Sequence, residues 1–347
     1  MTQQIATLLG HVAGGGNLRL DEMSSAIDAI MRGEWTDDQI GLLLTALATK
    51  GETVDEIAGA ALATRRHMTP IRSRHTKVLD TCGTGGGDSA MFNVSTTAAI
   101  VAAAAGVPVA KHGNRSVTSR SGSADVLAEL GVNINASIPQ VEACLDELGL
   151  CFCFAPLTHP SMKNVSAVRK KLGIRTIFNI LGPLVNPARA GYQLLGAGRP
   201  ELRPLLAGAV AKLGTERTLV VSGNDGLGDV TLTGITNVSE VVTDAEKSSA
   251  TTREFVWQPE DFGVARSSLA GLQVDGPQAS ASIVRRILAG ESGPARDIVL
   301  LNAAAGLIVA GTTNDPKIAA TNAAAAIDSG AAANLLTRLA ERSHEPA

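Results

Sequence analysis

The sequence predicts an α/β protein in two parts: a small all-helical domain, and a larger α/β domain whose mostly parallel central sheet is flanked by helices. Three features predict it. Residues 2–68 carry helix signals only. From Lys77 to Phe154 short apolar strands alternate with helices, the pattern of a parallel sheet. Alanine-rich helices then close the chain from about Ala279 to Leu339. The expected division is residues 1–70, joined by about 162–190, against residues 71–161 with 191–347.

In the first part, Thr36-Asp37-Asp38-Gln39 and Thr53-Val54-Asp55-Glu56 are capping boxes, in which a hydroxyl and a side chain three residues on satisfy free backbone N–H groups. Ile40, Leu43, Leu44 and Leu47 recur at helical spacing. Thr69-Pro70-Ile71 reads as a hinge, because proline biases its predecessor away from helix. In the second part the expected strands are Val78–Asp80, Val107–Ala110, Leu150–Phe154, Tyr192–Gly196 and Thr218–Ser222, with a brief Val132–Ile134 segment. The expected helices run from about Val94 to Ala105, Ser123 to Leu130, Ser137 to Leu148 and His159 to Leu172. Pro108 marks a strand start or an edge.

Composition narrows the function classes. With 45% hydrophobic residues in 347 there is ample material for a core, and only 3% are aromatic. A net charge of −3 lacks the basic footprint of a general nucleic-acid binder. Cys82, Cys144, Cys151 and Cys153 form no CxxC pair and read as reduced core residues. Met1 to Gly10 has no basic segment followed by an apolar core, so it is not read as a signal peptide. No apolar run approaches the ~20 residues of a membrane helix. A cytoplasmic enzyme is expected.

Two loops carry the chemistry. Asp80 to Asp88 holds Gly83, Gly85, Gly86 and Gly87 between a strand and a helix, where backbone N–H groups can meet an anion beside the positive helix end. It is neither a P-loop, lacking Gly-Lys-Ser/Thr, nor a dinucleotide fingerprint, having Asp88 where the third glycine belongs. The second loop, Lys111 to Ser123, holds three cations, five hydroxyls, one amide and two glycines in thirteen residues. Following the next parallel strand, it emerges at the same sheet edge, where open α/β sheets bind ligands. Together the loops suit a phosphorylated sugar.

Gly83-Thr84-Gly85-Gly86, Asn93-Val94-Ser95-Thr96 and Lys111-His112-Gly113-Asn114-Arg115 occur in this order, followed by His159-Pro160-Ser161-Met162, Val168 to Thr176 and Asn179 to Pro187. As a set, over nearly the whole chain, they resemble the anthranilate phosphoribosyltransferase family. The resemblance implies a magnesium-dependent homodimer of tryptophan biosynthesis, with an active site between the two domains and phosphoribosyl pyrophosphate (PRPP) bound by the α/β domain. It implies PRPP contacts from Gly83, Gly86, Gly87, Met91, Asn93, Val94, Ser95, Thr96, Lys111, His112, Gly113, Asn114, Arg115, Ser119 and Ser123. It implies anthranilate contacts from Gly83, Asn114 and Arg169, with His112, His159 and Pro183 along the acceptor's path. A guanidinium at Arg169 suits a carboxylate, which it grips with two parallel hydrogen bonds. No acid or base is assigned; Lys111 and His112 are expected to act electrostatically.

The chain departs from the family pattern in three places. Gly87 stands at the fifth loop position, ahead of Asp88, and Met91 stands where a small polar residue is usual. In Asp225-Gly226-Leu227-Gly228-Asp229 the family's two magnesium-holding carboxylates correspond to Gly228 and Asp229. Ser95 and Asp229 are therefore the expected metal residues, with Asp88 or Asp225 as possible compensation. Two alternatives stay open: a pyrimidine nucleoside phosphorylase-like enzyme, whose His-Thr-Gly-Gly signature is missing from Ser119–Asp125, and a non-catalytic relative with an eroded metal site.

Overall fold

The computed structural model describes residues 2–85, 90–116, 120–244 and 249–346. The chain opens with α1 (Thr2–Ala13), α2 (Leu20–Met31), α3 (Asp37–Lys50) and α4 (Val54–Arg66). Both capping boxes form. The Thr36 hydroxyl accepts from the Gln39 N–H (3.3 Å) while the Thr36 N–H donates to Gln39 Oε1 (3.0 Å). The Thr53 hydroxyl accepts from the Glu56 N–H (3.3 Å), and Glu56 Oε2 accepts from the Thr53 N–H (2.8 Å). Glu56 is fully buried, and its carboxylate also takes the Leu18 N–H (3.0 Å) and the Lys50 ammonium (2.7 Å). One side chain thus ends a loop, starts α4 and ties it to α3.

The rest of the chain builds one sheet. Its strands are β1 (Leu79–Asp80), β2 (Val109–Gly113), β3 (Leu150–Phe154), β4 (Tyr192–Gly196), β5 (Arg217–Gly223), β6 (Thr236–Asp244) and β7 (Ser249–Trp257). Among the described residues their spatial order is β3-β2-β1-β4-β5-β6-β7. The first five are parallel; β6 and β7 are antiparallel. Helices α5 (Val94–Ala104), α6 (Ser123–Glu129) and α7 (Ile138–Leu148) lie between β1 and β3, and α8 (Ala155–Thr158), α9 (Lys163–Leu172) and α10 (Phe178–Leu181) between β3 and β4. α11 (Leu202–Leu213) joins β4 to β5, and α12 (Pro277–Leu288), α13 (Pro294–Val309), α14 (Pro316–Asp328) and α15 (Ala331–Arg342) end the chain.

Strand alternation divides the apolar residues between two cores. Leu194, Leu219 and Val221 face a core built with α5 to α7 and α12 to α15. Their neighbours Leu195 and Val220 face the other core, which contains α2 to α4, α11, Val165 and Val168 of α9, and Ile177 to Val185. No described helix is long and apolar enough to cross a membrane. Cys82, Cys144, Cys151 and Cys153 are free thiols; the last three are buried.

The structure corrects the expected elements in several places. Val132–Ile134 forms no strand; the Asn133 backbone N–H donates to the Ser343 hydroxyl (2.9 Å), which turns the chain. Pro108 precedes β2, which is interior, so it marks a start and not an edge. The β6–β7 hairpin and α11 were not anticipated. Glu240 on β6 is buried between Arg217 of β5 (2.9 Å) and Arg253 of β7 (3.0 Å), so a charged residue sits inside the hairpin and hides its apolar period.

Glu56→Ala is expected to lower folding stability by about 3–5 kcal/mol, because it strands the Lys50 charge and two backbone N–H groups. Glu56→Gln, which keeps an acceptor, is expected to lose less. Denaturant unfolding of both variants checks this; equal losses would assign the whole effect to charge.

Candidate active site

A cavity of about 1000 Å³ opens at the carboxyl ends of β1, β2, β4 and β5. The sheet side contributes Gly83, Met91, Asn93, Val94, Ser95, Thr96, Lys111, His112, Gly113, Asn114, Arg115, Ser123 and Asp229. Arg169, Phe178 and Asn179 line it from the helical segment after β3, with Glu52 from the loop between α3 and α4. Gly86, Gly87, Asp88 and Ser119 lie outside the described residues.

Close backbone contact fixes the first loop. The Thr84 N–H donates to the Gly196 carbonyl (2.9 Å), and the Thr84 hydroxyl accepts from the Gly198 N–H (3.2 Å). A Cβ at Gly83 would lie 2.9 Å from the Gly196 oxygen, and one at Gly196 would lie 1.8 Å from the Gly228 oxygen. Three loops can therefore stack behind the cavity only where these side chains are hydrogens.

Lys111 is the electrostatic centre. It is buried, and its ammonium donates to the Thr81 carbonyl (2.9 Å), the Thr81 hydroxyl (3.4 Å) and the Ser95 hydroxyl (3.4 Å). Among the described residues no carboxylate forms an ion pair with it. Burial lowers its pKa below the usual lysine range, opposed by Asp80 and Asp229 nearby. Asp80 Oδ1 accepts the His112 backbone N–H (3.2 Å), while its Oδ2 is buried without a partner. Burial pushes this carboxyl up to about 6, with Lys111 pulling the other way. The Thr96 hydroxyl, in the first turn of α5, is also buried and unpartnered.

Asn93 and Arg115 are committed to protein partners. Asn93 Oδ1 accepts from the Ser121 (2.6 Å) and Ser280 (2.8 Å) hydroxyls, and its amide donates to the Ser121 carbonyl (3.1 Å). Its side chain does not cap α5; it braces the second loop against α12. Arg115 donates to Asp125 Oδ1 (2.9 Å), and Asp125 Oδ2 accepts the Ser116 (2.9 Å) and Gly122 (3.1 Å) N–H groups. Val94 is buried and meets the cavity at its wall. Asn114 is exposed; its carbonyl accepts from the Ser123 hydroxyl (3.3 Å).

Across the cavity, the Arg169 guanidinium lies 5.6 Å from the centre of the Phe178 ring. No carboxylate of the described residues pairs with it, and partial burial lowers its pKa. His112 and His159 are both buried, with Nε2 atoms 3.1 Å apart. Burial holds His112 at about 3, helped by His159 and Lys111 and opposed by the Gly182 carbonyl. Burial holds His159 at about 4, opposed by the Val185 carbonyl. Both rings are neutral at pH 7.

The loop after β5 carries Asp229. Burial pushes its carboxyl up to about 7; Lys111 opposes the shift and Asp225 adds to it. Asp225 is engaged within its own turn. Its Oδ1 accepts the Leu227 N–H (3.1 Å) and its Oδ2 takes the Thr231 and Thr233 (2.7 Å) hydroxyls, so its oxygens close the turn. Among the described residues no group of three or more His, Cys, Asp or Glu side chains is placed to hold a metal ion. Sequence reasoning missed Asn302, Thr81 and the role of Asp80. Asn302 Oδ1 accepts the Val230 N–H (2.9 Å) and its amide donates to the Val230 carbonyl (3.0 Å), clamping the Asp229 loop to α13. The available signal was a lone asparagine in an apolar helix, Ile298 to Val309.

Two family models match the chain: the glycosyl transferase family helical bundle domain over residues 6–68, and the glycosyl transferase family a/b domain over residues 75–333. Helical lobe, sheet and cavity thus define a glycosyl transferase of this two-domain class. The relatives carry the assignment further. Anthranilate phosphoribosyltransferase of Geotalea uraniireducens is 48% identical, covering 98% of this chain and 100% of its own. That of Moorella thermoacetica is 47% identical, covering 94% of both. The crystal structure of the Thermus thermophilus enzyme is 40% identical with a TM-score of 0.89, covering 97% of this chain and 99% of that one. The Saccharomyces cerevisiae enzyme in complex with PRPP and Mg is 28% identical, with a TM-score of 0.89 over 99% of this chain and 98% of that one. The chain belongs to the anthranilate phosphoribosyltransferase family.

Asp229→Asn is expected to raise the melting temperature of the unliganded protein at pH 8. A carboxyl whose pKa rises from ~3.9 unfolded to about 7 folded stabilises the fold less as pH climbs through that window. Asparagine removes the cost. The difference should vanish near pH 4, where both side chains are neutral; a difference unchanged between pH 4 and 8 would refute the burial.

Proposed function

We propose that the chain transfers the phosphoribosyl group of PRPP to the amine of anthranilate, giving N-(5-phosphoribosyl)anthranilate and pyrophosphate in tryptophan biosynthesis. The observation that carries this is a pair of cations with no acid partner among the described residues, both lining one cavity: buried Lys111 and the stacked Arg169. One suits a pyrophosphate, the other a carboxylate held flat. The relatives' PRPP complex and their shared name support it.

Negative charge grows on pyrophosphate as the bond to the ribose carbon breaks. Lys111, the backbone N–H groups of the glycine loop and the amino end of α5 are placed to stabilise it. The amine of anthranilate is a neutral nucleophile, so orientation matters more than activation. Arg169 and Asn114 fix the acceptor while the sheet-edge loops hold the donor. The proposed movable parts are residues 1–70 with about 162–190, and 71–161 with 191–347; their closure would exclude water that hydrolyses the donor.

Magnesium fits this site as a single ion. Asp229 is the one carboxylate of its loop that reaches the cavity, and Ser95 offers a hydroxyl beside Lys111. Magnesium keeps several waters and is commonly bound by one or two carboxylates plus substrate phosphates. When bound it supplies Lewis-acid stabilisation of the leaving pyrophosphate. A second carboxylate cannot simply be added at Gly228, whose Cβ would lie 2.9 Å from the Gly198 nitrogen and 3.1 Å from its Cα. The family resemblance supports a cytoplasmic homodimer.

The direct test is loss of anthranilate fluorescence on mixing with PRPP and magnesium; no loss with the purified protein would overturn the proposal. Arg169→Ala is expected to raise the KM for anthranilate roughly tenfold or more, as for a charged hydrogen bond of about 1.5–3 kcal/mol, with the KM for PRPP little changed. Steady-state rates varied in each substrate check this, and equal rises in both would remove Arg169 from the acceptor site.

A further inference from the structure

Two imidazoles line the cavity, yet their hydrogen bonding and burial withhold all four ring nitrogens from it. We propose that His159 is a positioning residue that locks His112 in one neutral tautomer, so that the pair presents the acceptor with an aromatic wall free of hydrogen-bonding groups. The inference rests on the phosphoribosyl transfer proposed above.

His112 Nδ1 lies 2.9 Å from the Gly182 carbonyl oxygen. A carbonyl only accepts, so Nδ1 carries the proton, and the Nε2 of the neutral ring is left as an acceptor. His159 Nε2, 3.1 Å away, must therefore donate. That places the His159 proton on Nε2; its buried Nδ1 forms no hydrogen bond among the described residues, although the Val185 carbonyl lies close enough to favour protonation of the ring. Reversing either tautomer sets two lone pairs or two N–H groups against each other. The rings meet edge to face, with centroids 5.0 Å apart, a geometry that aromatic pairs favour.

The surroundings keep the pair uncharged. Lys111 precedes His112 on β2 and disfavours a charge on that ring. The His112 backbone N–H is held by Asp80 Oδ1 (3.2 Å), which fixes the ring's attachment without touching its nitrogens. The Gly182 and Val185 carbonyls favour protonation, and burial outweighs both. A wall of this kind suits the ring of an aromatic amine. It gives water no nitrogen to bind beside the donor sugar, and so favours the acceptor over hydrolysis.

The test joins a spectrum to kinetics on the full-length protein. Nitrogen-15 spectra of histidine-labelled protein should show His112 protonated at Nδ1 and His159 at Nε2, both neutral down to about pH 5, above their values of about 3 and about 4. The opposite tautomers, or a charged ring at pH 7, would overturn the proposal without any variant. His159→Leu removes the donor at similar bulk and exposes a bare His112 Nε2. It should raise the anthranilate KM roughly tenfold, the scale of one unsatisfied buried acceptor, with the KM for PRPP unchanged. His159→Gln, whose amide N–H can reach Nε2, should recover most of that loss. Equal behaviour of the two variants would reduce His159 to a packing role. If the wild-type protein consumes no anthranilate, the transfer reading fails, and the tautomer spectrum still decides the lock on its own.

Discussion

The site depends on one buried ammonium. Among the described residues Lys111, inside the end of β2, has only neutral oxygens as direct partners, and charge in such a place is costly unless an opposite charge arrives. Neighbouring features follow from holding that charge there. Thr81 and Ser95 supply the dipoles that make it tolerable when the cavity holds no anion. Asp80 and Asp229 stand close enough to favour it, with no ion pair to either. The strand order places its loop beside the glycine loop, so a ligand that neutralises the lysine also meets backbone N–H groups.

Much of this was legible in the sequence because it depends on local rules. The two capping boxes and the alternation from β1 to β3 are short-range patterns, and each formed where its pattern lies. What escaped is set by distant partners. Glu240 looks like a surface charge until Arg217 and Arg253 close on it from two strands. Asn93 stands just before α5, but Ser280, 187 residues away, claims its oxygen. Asn302 shows as an oddity in an apolar helix, but its duty is defined by Val230 alone. Gly228 reads as a lost ligand; the close packing of Gly196 and Gly198 against it leaves no room for a side chain there.

That close packing leaves Asp229 as the carboxylate its loop brings to the cavity. Raised toward neutrality by burial, it would be a weak ligand by itself. In the proposed transfer, a cation and a phosphorylated substrate arriving together would favour its charged form, and ion and donor would then be coupled through Asp229.

The alanine-rich seam between α5 and α13 sets a mechanical limit on the whole arrangement. A Cβ at Gly306 would already lie 3.1 Å from Leu79 Cδ2 and 3.8 Å from the Ala102 Cβ. Leu79 directly precedes Asp80 and Thr81, so a methyl group added on the far side of the sheet would press on the strand that aims the lysine's partners. The smallest side chains in the molecule thus work as gauge blocks, and the floor of the cleft can be no more accurate than the spacing they set.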